Sequence, residues 1–129
     1  MKRDLDLQRE ILIKIEETDT LLGLGFFDKA HGQALGMTDE EIEGVEDITK
    51  EVRYSLDLLL EAQFVRRDRH GVFEYYNLTN TGHTALDAIR DAGFWNSLRD
   101  VTPKKASEII TGTLSGAAAS GVLKILGLE

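Results

Sequence analysis

The chain has 129 residues, no cysteine and a formal net charge of −8. This length fits one domain with its own hydrophobic core, and the absence of cysteine excludes disulfide bridges and thiolate metal sites. Residues 1–6 lack the apolar run of a signal peptide, so we expect a cytoplasmic protein. On average the negative charge opposes binding to nucleic acid, because phosphate contacts dominate that kind of affinity.

The charges are segregated along the chain, so their distribution says more about partners than their sum does. Residues 38–51 carry seven acidic side chains against Lys50, a local net charge of −6. Residues 66–70 carry three arginines against Asp68, a net charge of +2 before His70 is counted.

The first predicted helix covers residues 5–17. Its apolar residues recur at four-residue intervals, which is the spacing of one helix face. These residues are Leu7, Ile11 and Ile15. Asp4 or Asp6 can cap the first turn, since a short acceptor side chain bonds a free backbone N–H there. The chain is therefore expected to begin with an amphipathic helix.

An irregular segment follows at residues 22–36, which contain four glycines. We predict a loop with a short helical piece there, because the glycines interrupt every periodicity. The apolar pair Phe26 and Phe27 is expected to anchor this loop to the core.

Two helices are predicted between residues 38 and 63. Thr38 and Glu41 have the spacing of a capping box, and Gly44 is expected to end that first helix early. A longer amphipathic helix is predicted from about Asp47 to Gln63. Its apolar side is formed by Ile48, Val52, Leu56, Leu59 and Ala62. The opposite side, which faces solvent or a partner, is formed by Lys50, Arg53, Tyr54, Asp57 and Glu61.

Beyond this helix the pattern changes to that of a β-hairpin. Residues 64–67 and 72–78 are rich in β-branched and aromatic side chains, with polar residues and a glycine between them. Thr79 is expected to cap the next helix. Gly82, in the first turn of that helix, would let it approach the sheet closely.

This order of helix, short helix, amphipathic helix, hairpin and helix predicts a winged helix-turn-helix. The fold class is therefore α+β and mostly helical, with a two-stranded wing and a C-terminal helical tail. Residues 1–100 form the winged-helix domain and residues 101–129 the tail. The Leu-Thr-x-x-Gly junction at residues 78–82 is typical of the passage from wing to helix.

The tail is predicted to be helical and to start at Thr102 and Pro103, with proline in the first helical position. Small residues recur four apart in it, and this spacing permits close approach between helices. These residues are Gly112, Gly116 and Ser120. We expect the tail to pack on the body or on a second copy, which predicts a homo-oligomer through the C-terminal helix; a frayed end is the alternative. The segment is too polar for a membrane span, so no membrane partner is expected.

No catalytic or metal-binding motif stands out. The three histidines are widely spaced and form no helical pair of ligands, and the acidic segment lacks the spacing of a calcium-binding loop. Gly23 and Gly25 lack the third glycine and the preceding strand of a dinucleotide site. We therefore expect no enzyme activity, no cofactor and no metal.

Short motifs in the chain resemble an uncharacterised winged-helix family found in bacteriophages and prophages. The most specific stretch is Asp87-Ala88-Ile89-Arg90-Asp91, followed by Trp95-Asn96. The opening Met1-Lys2-Arg3-Asp4 and the junction Leu78-Thr79…Gly82-His83 are also similar.

The resemblance covers residues 1–17 and 45–96. Gln63 stands where such chains usually place a helix-ending glycine, and residues 22–37 look like an insertion. The resemblance implies the winged-helix fold and a phage-related origin. It implies no established activity, and no functional residues carry over from it.

Two functions fit these patterns. The first is a small DNA-binding regulator, in which the long helix enters the major groove and the wing lies along the phosphates. Its wing contacts would come from Arg66, Arg67 and Arg69. Its helix contacts would come from Lys50, Arg53 and Tyr54, with Arg53 the first choice for a base contact.

The second function is an acidic protein-binding module that docks on a host protein, as an inhibitor that imitates the charge of DNA. The acidic residues 38–51 favour this hypothesis, because they lie beside the N-terminus of the long helix, where phosphates would normally be.

Overall fold

The computed structural model describes residues 1–18, 21–22, 33–71 and 73–129. The described part of the chain is mostly helical with one antiparallel sheet, so the α+β, mostly helical class is confirmed. In chain order the elements are α1 (Leu5–Thr18), β1 (Leu21–Leu22), α2 (Asp39–Glu61), β2 (Val65–His70), β3 (Phe73–Leu78), α3 (Asn80–Ile89), α4 (Ala92–Arg99), α5 (Pro103–Thr113) and α6 (Gly116–Ile125).

Helix α1 forms where the apolar spacing predicts it. The Asp4 carboxylate accepts a hydrogen bond of 3.0 Å from the Leu7 backbone N–H, so Asp4 caps the first turn. Ile11, Leu12 and Ile15 are buried in the core, where α1 packs against α2, α3 and β3.

A single continuous helix spans residues 39–61, so the prediction of two helices separated at Gly44 is wrong. The capping box is confirmed: Thr38 Oγ1 accepts from the Glu41 N–H at 3.2 Å, and Glu41 Oε1 accepts from the Thr38 N–H at 3.4 Å. Gly44 lies inside the helix with no neighbouring atom within 4 Å of a Cβ built on it. A glycine costs a helix interior only about 1 kcal/mol. The capping box before it and the buried residues on both sides of it, Ile42 and Leu56, outweigh that cost.

The predicted hairpin is present as β2 and β3, which pair antiparallel from Val65 opposite Leu78 to His70 opposite Phe73. Gly71 makes the turn with a φ of +64°. The two-residue strand β1, which the sequence did not predict, pairs with β3, and the sheet order is β1-β3-β2. The predicted anchor residues Phe26 and Phe27 lie outside the described residues.

The strand-to-helix junction forms as predicted. Thr79 Oγ1 accepts from the Gly82 N–H at 3.0 Å and so caps α3. A Cβ on Gly82 would lie 2.0 Å from the carbonyl oxygen of Phe64. Only glycine lets α3 start this close to the residue that links α2 to β2.

The tail forms two helices rather than one. Thr102 caps α5 and Pro103 occupies its first turn, as predicted, but the chain leaves the helix at Leu114 and re-enters it at Gly116. The three small residues therefore do not share one helix face. Helix α6 packs against α3, where a Cβ on Gly121 would lie 3.1 Å from that of Ala85.

The core is one cluster shared by the body and the tail. The tail contributes the fully buried side chains Ile110, Val122 and Ile125 to this cluster, which also contains Trp95 and Phe64. None of the helices in the described ranges is long and apolar enough to cross a membrane.

Candidate functional site

Helix α2 carries most of the net charge of the protein. It contains nine acidic and two basic residues, a net charge of −7, while the whole chain has −8. Eight of these acidic side chains are described, and all are exposed. They are Asp39, Glu40, Glu41, Glu43, Asp47, Glu51, Asp57 and Glu61.

The corrected boundary of α2 changes where the acidic segment lies. It does not precede the long helix, as the sequence predicted, but forms the N-terminal half of that helix. Asp39, Glu40 and Glu41 occupy the first turn, where negative charge stabilises a helix through its dipole. Glu43, Asp47 and Glu51 lie beyond the first turn and extend the acidic surface toward the middle of the helix. We call the eight exposed carboxylates the acidic face of α2.

The predicted helix contacts lie within this acidic face. Lys50 and Arg53 are exposed and Tyr54 is half-buried. Arg53 already interacts with another group of the protein. The two cations share the helix with eight exposed carboxylates, and the described side chains of α2 form no continuous positive strip.

The predicted wing contacts lie together on β2, and all three arginines are exposed. The Arg66 Nε donates to Asp68 Oδ2 at 3.0 Å, and Asn77 Nδ2 donates to the same oxygen at 2.9 Å. The Arg67 guanidinium lies 5.7 Å from the centre of the Tyr76 ring, within the range of a cation–π contact. Arg69 also has an interaction within the protein.

A polar cluster that sequence reasoning missed joins α1 to α4. Asp6 accepts from the Trp95 indole N–H and from Arg99, both at 2.8 Å. The hydrogen bonds from Trp95 and then Arg99 lower the pKa of the Asp6 carboxyl below its ordinary value. The Arg9 guanidinium lies 5.8 Å from the centre of the Trp95 ring and donates to the carbonyl of Ile89 at 2.9 Å. Because the partners are up to 93 residues apart, no local pattern signals this cluster.

The stretch Asp87–Asp91, with Trp95, is structural. Arg90 forms a bidentate ion pair with Glu16 of α1, and this hydrogen bonding lowers the pKa of the Glu16 carboxyl. Asp91 accepts from the Phe94 N–H at 2.7 Å and caps α4. Trp95 is buried. These residues fasten α1 to the junction of α3 and α4.

The described residues contain no group of three or more histidine, aspartate or glutamate side chains that could hold a metal ion. His31 lies outside the described residues, and His83 is exposed on α3. The acidic face is thus a surface of separate carboxylates, suited to long-range attraction rather than to coordination.

Comparison with known proteins identifies one similarity. A family model described as "Hypothetical protein (DUF2513)" matches residues 2–108, which run from the start of the chain into α5. No curated protein and no solved structure matches the chain.

Proposed function

We propose that this chain, which belongs to the family described as "Hypothetical protein (DUF2513)", is a protein-binding module of winged-helix type. Its acidic face on α2 docks on a basic surface of a partner protein. The observation that carries the proposal is the net charge of −7 on this one helix. The resemblance to phage and prophage proteins makes a host protein the proposed partner.

The winged-helix assignment is supported by the strand order. Strand β1 follows α1 and pairs with β3, and the β2–β3 hairpin follows α2, as a wing follows the recognition helix. A helix-turn-helix also requires a helix between β1 and α2, and most of that segment lies outside the described residues. In DNA-binding relatives of this fold, the helix equivalent to α2 enters the major groove.

Charge makes DNA a poor partner for α2. A unit charge interacts with another at 4 Å by about 1 kcal/mol even in water, and eight exposed carboxylates would face a dense row of phosphates. The same carboxylates fit a protein surface that normally receives phosphates, because such a surface presents arginine and lysine. Complementary charge also accelerates and orients association.

The test compares two triple variants of equal net charge. The first is Glu40→Gln, Glu43→Gln and Asp47→Asn on α2, which leaves the capping box intact. The matched control is Glu10→Gln, Glu17→Gln and Glu108→Gln, which neutralises exposed carboxylates on α1 and α5. The probe is a purified core histone complex, a basic protein with a DNA-binding surface.

We expect the α2 variant to bind the histone complex about tenfold more weakly than wild type at 50 mM salt, and the control variant to lose far less. Equal losses in the two variants would show a response to net charge alone and would contradict docking through α2. Wild type should not bind a 30-base-pair duplex under the same conditions.

A DNA-binding regulator is the second candidate, supported by the three exposed wing arginines. Removal of Arg66, Arg67 and Arg69 together should flatten the log–log salt dependence of binding by about 0.9 per arginine, because each phosphate contact releases counterions. Arg53→Ala should instead cost about 1–3 kcal/mol on the preferred site only. Titration of labelled genomic fragments with wild type and both variants at two salt concentrations tests these expectations. If wild type does not bind DNA at low salt, this candidate function is eliminated.

A further inference from the structure

A groove of about 450 Å³ lies between the C-terminal ends of α2 and α6. Its walls include Gln8 of α1, Gln63 and Phe64 after α2, and Gly127 and Glu129 after α6. Arg3, from the segment before α1, also lines it. The groove shares Glu61 with the acidic face of α2, and none of its other lining residues belongs to that face, so the proposal below does not rest on the proposed function.

Helix α2 ends in this groove with two backbone hydrogen bonds that reverse the chain. The Gln63 N–H donates to the Leu60 carbonyl and the Phe64 N–H donates to the Leu59 carbonyl, both at 3.0 Å. This pair is the Schellman arrangement, which requires a left-handed residue after the helix. Gln63 is that residue, with a φ of +64°.

Helix α6 ends in the same way. The Gly127 N–H donates to the Lys124 carbonyl at 3.0 Å, and the Leu128 N–H donates to the Leu123 carbonyl at 2.8 Å. Each helix end carries partial negative charge on its last carbonyl groups. Two such ends meet in one groove, together with the carboxylates of Glu61 and Glu129, so the groove favours a positively charged group.

Arg3 shows which cation the groove accepts. Its Nη1 donates to the Ile125 carbonyl, at the end of α6, at 2.9 Å. A Cβ on Gly127 would lie 3.3 Å from both Cζ and Nη1 of Arg3, so glycine leaves room for the planar guanidinium against the backbone. Lys124 also lines the groove, as is common at the last turn of a helix.

Gln8, which lines the groove, has a buried acceptor without a donor in the described part of the chain. The residue is 2% exposed, and its Oε1 has no hydrogen-bond partner among the described residues. A buried acceptor without a partner costs about 1–3 kcal/mol. The Arg3 guanidinium does not satisfy it, because its bond goes to Ile125. A group with several N–H donors that reached Gln8 Oε1 from the groove would satisfy Gln8 and the two helix ends together.

We propose that this groove is a binding site for the guanidinium group of an arginine-containing ligand, and that Arg3 is its internal occupant. A ligand guanidinium displaces Arg3, lies between the ends of α2 and α6, and donates to Gln8 Oε1. The segment before α1 is released from the end of α6 in the same step.

In the experiment, Arg3→Ala removes the guanidinium group from the groove, and a small guanidinium compound is then added in solution. The probes are N-acetyl-argininamide and, as the matched control, N-acetyl-citrullinamide, which has the same shape but a neutral urea group. At about ten times its dissociation constant, the arginine compound should raise the melting temperature of Arg3→Ala by about 3–5 °C, and the citrulline compound should not.

A second variant assigns the effect to Gln8. In Arg3→Ala with Gln8→Leu, the stabilisation by the arginine compound should be lost, because the acceptor is gone. Should Arg3→Ala fold poorly, Arg3→Met keeps the apolar stem without the guanidinium and takes its place. A shift of the Gln8 side-chain amide resonance on titration is the independent readout. Equal responses to the two probes, no response, or full stabilisation in the Gln8→Leu background would overturn the proposal.

Discussion

At the scale of single residues, Gln63 occupies a backbone position that usually requires glycine. The backbone there has a φ of +64°. A side chain with a Cβ is strained in this region, yet Gln63 also lines the groove beside Arg3 and Gln8. The two backbone hydrogen bonds that end α2 hold Gln63 in this conformation despite the strain.

Gln63→Gly should therefore stabilise the protein by about 0.5–1 kcal/mol, since glycine removes the strain but loses more freedom on folding. Gln63→Ala is the control: it keeps the Cβ and should leave the free energy of unfolding near that of wild type. Urea denaturation measures the free energy of unfolding of wild type and of both variants. A Gln63→Gly variant less stable than wild type would mean that the glutamine side chain contributes more than its backbone costs.

The two carboxylates that anchor α1 predict how stability depends on pH. The pKa values of Asp6 and Glu16 are lowered in the folded protein, by Trp95 and Arg99 for Asp6 and by Arg90 for Glu16. The unfolded chain then binds these protons at a higher pH than the folded one. Their contribution to stability is present above the unfolded pKa values and is lost as pH falls through the folded ones.

Urea unfolding midpoints should accordingly fall as the pH decreases below about 4.5. The double variant Asp6→Asn with Glu16→Gln should be less stable at pH 7 and show a shallower fall. Its counterpart for comparison is Glu10→Gln with Glu17→Gln, on the same helix. A double variant whose stability declines as steeply as that of wild type would refute the assignment to these two groups.

At the scale of elements, helix starts were predictable and helix interruptions were not. Thr38, Thr79 and Thr102 each cap a helix where the sequence predicts one, because a cap is a local interaction of residues three apart. Gly44 looks like a helix end, but tertiary packing on both sides of it overrides its weak local preference. The break before Gly116 is the opposite case, since nothing in the local pattern requires it.

The continuity of α2 can be tested at Gly44. Gly44→Ala should stabilise the protein by about 1 kcal/mol, the difference in helix propensity, because no atom crowds the new Cβ. Gly82→Ala is the contrasting change at a helix start, and we expect a loss of about 1–3 kcal/mol or more from the clash with Phe64. Thermal unfolding compares the two. If Gly44→Ala is neutral or destabilising, the helix does not run through residue 44.

The candidate site, too, was predictable where it depends on local sequence and unpredictable where it depends on distant contacts. The exposed face with Lys50, Arg53 and Tyr54 and the hairpin arginines could be placed from periodicity alone. The sequence could not show that the helix beginning at Asp39 continues through Gly44, which puts the acidic residues on the same helix as Lys50 and Arg53, nor that Asp6 and Trp95 meet. The first depends on packing around Gly44, and the second on contacts across 89 residues.

At the scale of the whole molecule, the tail belongs to the core. Ile110, Val122 and Ile125 are buried in the same cluster as α1 and the sheet, and the close helix contact at Gly121 is with Ala85 of the same chain. The oligomer predicted from the small residues of the tail stays a prediction. It now rests on Gly112, which is exposed on α5 with open space around it.

Light scattering on the full chain and on Gly112→Arg tests that prediction. An oligomer held through this face of α5 should dissociate when a long charged side chain is added there, while a monomeric wild type contradicts the prediction outright. Shortening the chain after Asp100 is a poor test, because it would also expose the core.

The burial of α6 has a consequence for synthesis on the ribosome. Helix α1 is made long before α6, yet Leu12 and Ile15 belong to the same buried cluster as Val122 and Ile125, more than a hundred residues later. Contacts this distant along the chain form late and slowly. The face of α3 that packs against α6 therefore stays uncovered until α6 has left the exit tunnel, so the native state is reached only after translation has passed α6. A chaperone that shields apolar segments would meet this protein during that interval.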